Sequence, residues 1–170
     1  MIRPGARKPL DRHLAVSMTS SGISIVYDFP TSITLRSPTR EKELRRRVRT
    51  RLRRWRPAAK STDGAIVTAA FEDPQHAKAA IDDIERMLDA FAEERLTPRM
   101  VEEILGITSA ERVRWNKDGR LPKSGTGSFR KGRQVFVFYL HPPAEIAKLA
   151  ADPTIISRWR EADANKTQPS

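Results

Sequence analysis

Residues Thr97–Lys123 read TPRMVEEILGITSAERVRWNKDGRLPK, and the punctuation of this stretch decides the fold. Thr97-Pro98 is a helix cap followed by a proline at the first helical position, where a missing N–H costs nothing. Val101, Ile104 and Leu105 then share one helical face, and Gly106 is placed to close the helix in a left-handed turn. Thr108 and Glu111, three residues apart, match a capping box, so a second helix starts two residues after the first stops. It runs through Val113 and Trp115 to Gly119. Two short helices joined by a tight glycine turn are a helix-turn-helix.

Downstream, Leu121-Pro122 breaks the helix. Ser124–Ser128 and Arg130–Arg133 read as loop segments rich in glycine and positive charge, and Gln134–Leu140 (QVFVFYL) reads as a strand. Ser128-Phe129 paired with that strand would form a hairpin wing, with Lys131-Gly132 at or near its turn. Val135, Phe136, Val137, Phe138 and Tyr139 read as the core of the wing strand rather than as a binding platform. Ala144–Ala150, carrying Ile146, Ala147 and Leu149, reads as a third helix after His141-Pro-Pro143.

Gly106, the Thr108 cap two residues later and the ending Lys117-Asp-Gly119-Arg-Leu121-Pro122 make this segment similar to the MerR superfamily. The likeness is strongest to excisionase and AlpA-like regulators, and extends to the DNA-binding domain of some phage small terminase subunits. It covers residues 96–150. It departs from the family pattern at Arg112, where the family carries an apolar residue, with Val113 one position later. The resemblance implies a winged helix-turn-helix whose second helix enters the major groove while the wing grips phosphates. On that basis Thr108, Ser109, Ala110, Arg112, Asn116 and Lys117 face the groove, with Arg112 suited to guanine and Asn116 to adenine. Lys123, Arg130, Lys131 and Arg133 place the wing on the backbone. Trp115 reads as a core side chain rather than a base-stacking one. It lies about 200° around the helix from Val113, so the two cannot both be fully buried. Proximity to the Gly106 turn assigns full burial to Val113, which leaves Arg112 and Asn116 on one exposed strip.

The first half reads as a small α/β layer. Gly22–Phe29 is a strand stopped by Pro30, and Ile33 and Leu35 suggest a short second strand. Thr39 caps a helix from Arg40 in which Leu44, Val48, Leu52 and Trp55 form one stripe, and Pro57 ends it. Residues 64–71 read as another strand. A helix follows from Pro74, capped by Asp73, with Ala77, Ile81, Ile84, Leu88 and Phe91 as its stripe. The expected fold class is therefore α+β. A basic disordered arm occupies residues 1–20, the α/β layer 21–95, the winged domain 96–150 and a polar tail 151–170.

Charge says what such a chain meets. The net charge is +11, and residues 39–56 alone hold ten basic against two acidic residues. A surplus of this size attracts polyanions. Arg45, Arg46, Arg49, Arg53, Arg54 and Arg56 are placed to track a phosphate backbone, each contact releasing counterions. The alternative is that this helix packs beside the acidic helix 74–95, but the five net negative charges of residues 72–96 cannot cancel eight positive ones.

The chain has no cysteine, and His13, His76 and His141 are far apart without ligand spacing. No apolar run approaches the ~20 residues of a membrane span. Clustered carboxylates and phosphate-loop motifs are missing, so the reading is a non-enzyme with no cofactor and no metal. The expected function is DNA binding as a transcription regulator or a recombination directionality factor of a mobile element, in the cytoplasm on the nucleoid. One alternative is a non-catalytic subunit of a larger nucleoprotein machine, docked on protein or structured RNA through its N-terminal domain. Another is an RNA-binding structural protein. The sequence leaves the oligomeric state open.

Overall fold

The computed structural model describes residues 14–19, 22–57, 59–63 and 66–167. They fold as an α+β chain of two compact units. The first takes the residues up to Pro30 together with Glu43–Met87, and the second takes Thr31–Lys42 together with the residues from Leu88 onward. The division between units thus falls inside two helices rather than at residue 96.

The first unit contains an antiparallel sheet of β1 (Leu14–Thr19), β2 (Gly22–Tyr27), β3 (Ala59–Asp63) and β4 (Ile66–Phe71), in the order β1-β2-β4-β3. Cross-strand register sets Ile25 opposite Ala69 and Tyr27 opposite Val67. These four residues are buried, which identifies one face of the sheet as core. The stripe Leu44, Val48, Leu52 of α2 (Pro38–Arg54) is fully buried, as are Ala80 and Ile84 of α3 (Pro74–Ala92).

The residues read as a basic arm include β1, which pairs residue for residue with β2 from Leu14↔Tyr27 to Thr19↔Gly22. Residues 1–13 of that arm lie outside the described residues, as do 64 and 65 of the expected strand. The short strand expected at Ile33 is instead a helical turn, α1 (Thr31–Thr34), with neighbouring Ile33 and Thr34 both buried. The Leu35 N–H donates to the Thr31 carbonyl at 2.8 Å, the i to i−4 bond of a helical turn. The cap of α2 is Ser37 rather than Thr39: its Oγ accepts from the Arg40 N–H at 3.1 Å, with Pro38 at the first position.

The second unit holds α4 (Pro98–Leu105), α5 (Ser109–Lys117), the hairpin β5 (Gly125–Lys131) and β6 (Gln134–Leu140), α6 (Pro143–Ala151) and α7 (Pro153–Thr167). Its core gathers Leu96, Met100, Val101, Leu105, Ile107, Trp115, Leu121, Ile146 and Ile156, with Trp159 packed against them. Ile156 and Trp159 belong to α7, so the segment read as a polar tail is a structural helix. Arg40 is buried here as a strut. Its guanidinium donates to the carbonyls of Ile33 and Phe91, each at 2.7 Å, and lies 4.5 Å from the Phe91 ring centre. No helix among the described residues is long and apolar enough to cross a membrane.

Candidate nucleic-acid interface

The turn between α4 and α5 is built as its sequence dictates. Gly106 takes φ 60° and ψ 41°, a left-handed conformation that suits glycine. Thr108 accepts from the Glu111 N–H at 3.2 Å, and Glu111 accepts from the Thr108 N–H at 2.7 Å, completing the capping box. Arg160 of α7 then staples the turn, donating to Glu111 at 2.7 Å and to the Gly106 carbonyl at 2.9 Å. The hydrogen bond from Arg160 acts with those from Thr108 to hold the Glu111 carboxyl down at about 2.

The face that α5 exposes differs from the expected one. Trp115 is fully buried and Val113 is 56% exposed. The larger side chain wins the core because it removes far more apolar surface from water. Its partners come from α7: Trp159 packs edge-on with ring centres 5.0 Å apart, and Asp163 accepts from the Trp115 indole N–H at 2.9 Å. Asn116 follows Trp115 inward and is 3% exposed, so it is not on a groove-facing strip. Arg112 is also committed. Its Nε lies 2.7 Å from Glu102 of α4, and it donates to Ser109 Oγ at 3.2 Å. Neither Arg112 on guanine nor Asn116 on adenine is therefore compatible with this packing.

The exposed strip of α5 is Ala110, Val113, Arg114 and Lys117, spaced i, i+3, i+4, i+7. Sequence reasoning places Ala110 and Lys117 there and misses Val113 and Arg114. Rotating the helix until Trp115 points inward would have found both. Arg114 remains half-exposed while pairing with Asp163 at 2.7 Å. Thr108 and Ser109 stand exposed at the start of the helix.

The wing follows. β5 and β6 pair from Gly125↔Leu140 to Lys131↔Gln134, leaving Gly132-Arg133 as the two-residue turn. The glycine-rich segment read as a loop is thus mostly strand. Arg130, Lys131 and Arg133 are exposed at its tip, and their side chains hold no hydrogen bond or ion pair among the described residues. Lys123 donates to the Asn116 carbonyl at 3.0 Å and lies 4.7 Å from the Tyr139 ring centre. Val135, Phe136, Val137 and Tyr139 are exposed rather than core, because a lone two-stranded ribbon has no second layer to cover either face. At the wing's base His141 is fully buried, with Nδ1 2.7 Å from the Pro122 carbonyl oxygen. Burial pushes its imidazole below the ordinary range, and the charges of Arg112 and Lys123 push the same way.

In the first unit, α2 divides its arginines. Arg46 and Arg47 pair with Glu43 at 2.7 and 2.9 Å, and Arg51 pairs with Asp83 of α3 at 3.0 Å. Arg45 is half-buried. Arg49, Arg53, Arg54 and Arg56 are exposed, and among the described residues they hold no such partner. No group of three or more His, Asp or Glu side chains among the described residues is placed to hold a metal ion. Compared with family models, curated proteins and solved structures, the chain matches none of them.

Proposed function

We propose that this protein is a non-enzymatic DNA-binding protein whose second unit docks α5 in the major groove with the wing on the phosphate backbone. One observation carries the reading. From Gly119 to Ala144 the chain holds no carboxylate, and within that span Lys123, Arg130, Lys131 and Arg133 lie on or beside the hairpin that follows α5, the last three exposed. Uncompensated cations at the rim of a helix-turn-helix are what a phosphate backbone requires. The inward position of residue 112 also supports the likeness to excisionase-type domains. Where those carry an apolar residue, Arg112 is neutralised by Glu102. On the α5 strip, Val113 suits a thymine methyl group and Lys117 a guanine edge.

A regulator of transcription or a directionality factor for recombination, acting in the cytoplasm, fits this reading. The subunit alternative draws on Arg49, Arg53, Arg54 and Arg56, which give the first unit a cation surface of its own. A gel shift of the full chain against genomic duplex fragments and a structured RNA tests both. Retardation of the duplex at the lower protein concentration is expected. Preference for the RNA would favour the alternative, and no retardation of either would contradict both.

A further inference from the structure

The wing carries more apolar surface than a phosphate clamp requires. Its register sets Phe129 opposite Phe136 and Gly127 opposite Phe138, so three rings share one face. Phe129 and Phe136 stack with ring centres 5.1 Å apart and planes 12° from parallel. Phe138 lies 6.2 Å from Phe129 and occupies the space above Gly127, where a Cβ atom would come within 2.7 Å of its ring. The other face sets Val135, Val137 and Tyr139 against Arg130, Ser128 and Thr126. On the ring face Phe129 is 54% exposed and Phe136 41%. A continuous exposed apolar surface of this kind marks a contact with another molecule.

The charge around it selects the partner. Arg130, Lys131 and Arg133 surround the tip, Lys123 sits at the base, and no carboxylate intervenes. A second copy of this ribbon would bring four like charges against these four, which opposes association. Duplex DNA supplies both complements, phosphates for the cations and sugar and base surfaces for the rings. Proteins that enter the minor groove use apolar wedges of this kind, phenylalanine among them, to part a base step.

We propose that the wing is such a wedge. Its basic tip holds the phosphates on either side of the minor groove while the Phe129–Phe136 pair enters a base step, unstacks it and unwinds the duplex. This rests on the duplex-binding reading above and adds a distortion of the DNA to it.

The test uses a relaxed closed-circular plasmid treated with a topoisomerase in the presence of the full chain, which needs no knowledge of the target sequence. The parent is expected to shift the plasmid's linking number in proportion to the protein bound. Phe129→Ala/Phe136→Ala, checked for fold by circular dichroism, is expected to bind the plasmid through its phosphate contacts and to lose the shift. Phe136→Trp supplies an independent reading, with the added indole emission, measured against the parent's, quenched on the duplex. A parent that saturates the plasmid without a shift, a double variant that shifts it equally, or an added indole emission unchanged at saturation each overturns the wedge while duplex binding stands. A parent that does not bind the plasmid overturns the underlying reading instead. With no linking-number shift, Phe-dependent sedimentation with phosphatidylserine vesicles would make the face a lipid surface. A dimer dissolved by the double substitution would make it a self-contact. Either result overturns the proposal.

Discussion

Helices α2 and α5 are both arginine-bearing, and they use that charge in opposite ways. On α5, Arg112 and Arg114 are both tied to carboxylates, Glu102 and Asp163, so the free charge of that region has moved to Lys117 and the wing tip. On α2, Glu43 and Asp83 occupy three arginines and leave Arg49, Arg53 and Arg54 exposed, with Arg56 exposed just beyond its end. Counting basic residues therefore does not say which of them are free to meet a phosphate. What matters is which guanidiniums find a carboxylate at hydrogen-bond distance, since a paired arginine has already given up most of its pull on a phosphate.

The comparison breaks most visibly if α5 is anchored otherwise than by Trp115. Trp115→Ala should cost about 3–5 kcal/mol, because it opens a cavity between α5 and α7. Val113→Ala, on the exposed side, should stay within about 0.5 kcal/mol. Chemical denaturation of the two variants checks this, and a larger loss at Val113 would mean that the helix is rotated the other way.

The next effect concerns Arg112. Arg112→Ala strands the half-buried Glu102 carboxylate and should cost about 1–3 kcal/mol of stability. Binding-site selection with the variant should return the parent's base preference. A relaxed preference at one base pair would return Arg112 to the groove.

A smaller effect is expected from pH. The imidazole of His141 is held below its ordinary value near 6.5, so protonation is resisted by the folded chain and accepted by the unfolded one. Its contribution to stability is therefore present above pH 6.5 and is lost as pH falls through and below that value. Glu103 behaves as a second, separate group. Burial works against its charged form, but hydrogen bonds from Ser37 at 2.6 Å, from Thr39 and from Arg99 outweigh it and bring the carboxyl to about 2. Its contribution is lost only as pH falls from about 4.5 toward 2. Thermal midpoints from pH 8 to 5 should fall for the parent and flatten for His141→Gln. Equal slopes would remove His141 from this role.

The same contrast explains what could be read without coordinates. Caps and stripes are local, so Gly106, the Thr108–Glu111 box and the Leu44–Val48–Leu52 stripe were legible, and with them α2 to α6 and the α+β class. The orientation of α5 was not. It depends on Ile156, Trp159, Arg160 and Asp163 of a helix 40 or more residues away, whose polar composition disguised it as a tail. β3 was hidden for a related reason. Its sequence, AKSTD, has no apolar alternation, and it is defined by backbone pairing with β4. Within the site, the wing cations were legible from charge alone. Arg114 and Val113 were missed because their exposure follows from the burial of Trp115.

The central claim is that the wing tip carries phosphate contacts, and the salt dependence of duplex affinity tests it most directly. The slope of log affinity against log salt should be compared for the parent, Arg130→Ala/Lys131→Ala/Arg133→Ala in the wing, and Arg49→Ala/Arg53→Ala/Arg54→Ala on α2. Each lost phosphate contact should flatten the slope by about 0.9, so the wing triple variant should lose about 2.7. A wing variant with the parent's slope, beside an α2 variant with a flattened one, would contradict the account and move the nucleic-acid surface to the first unit.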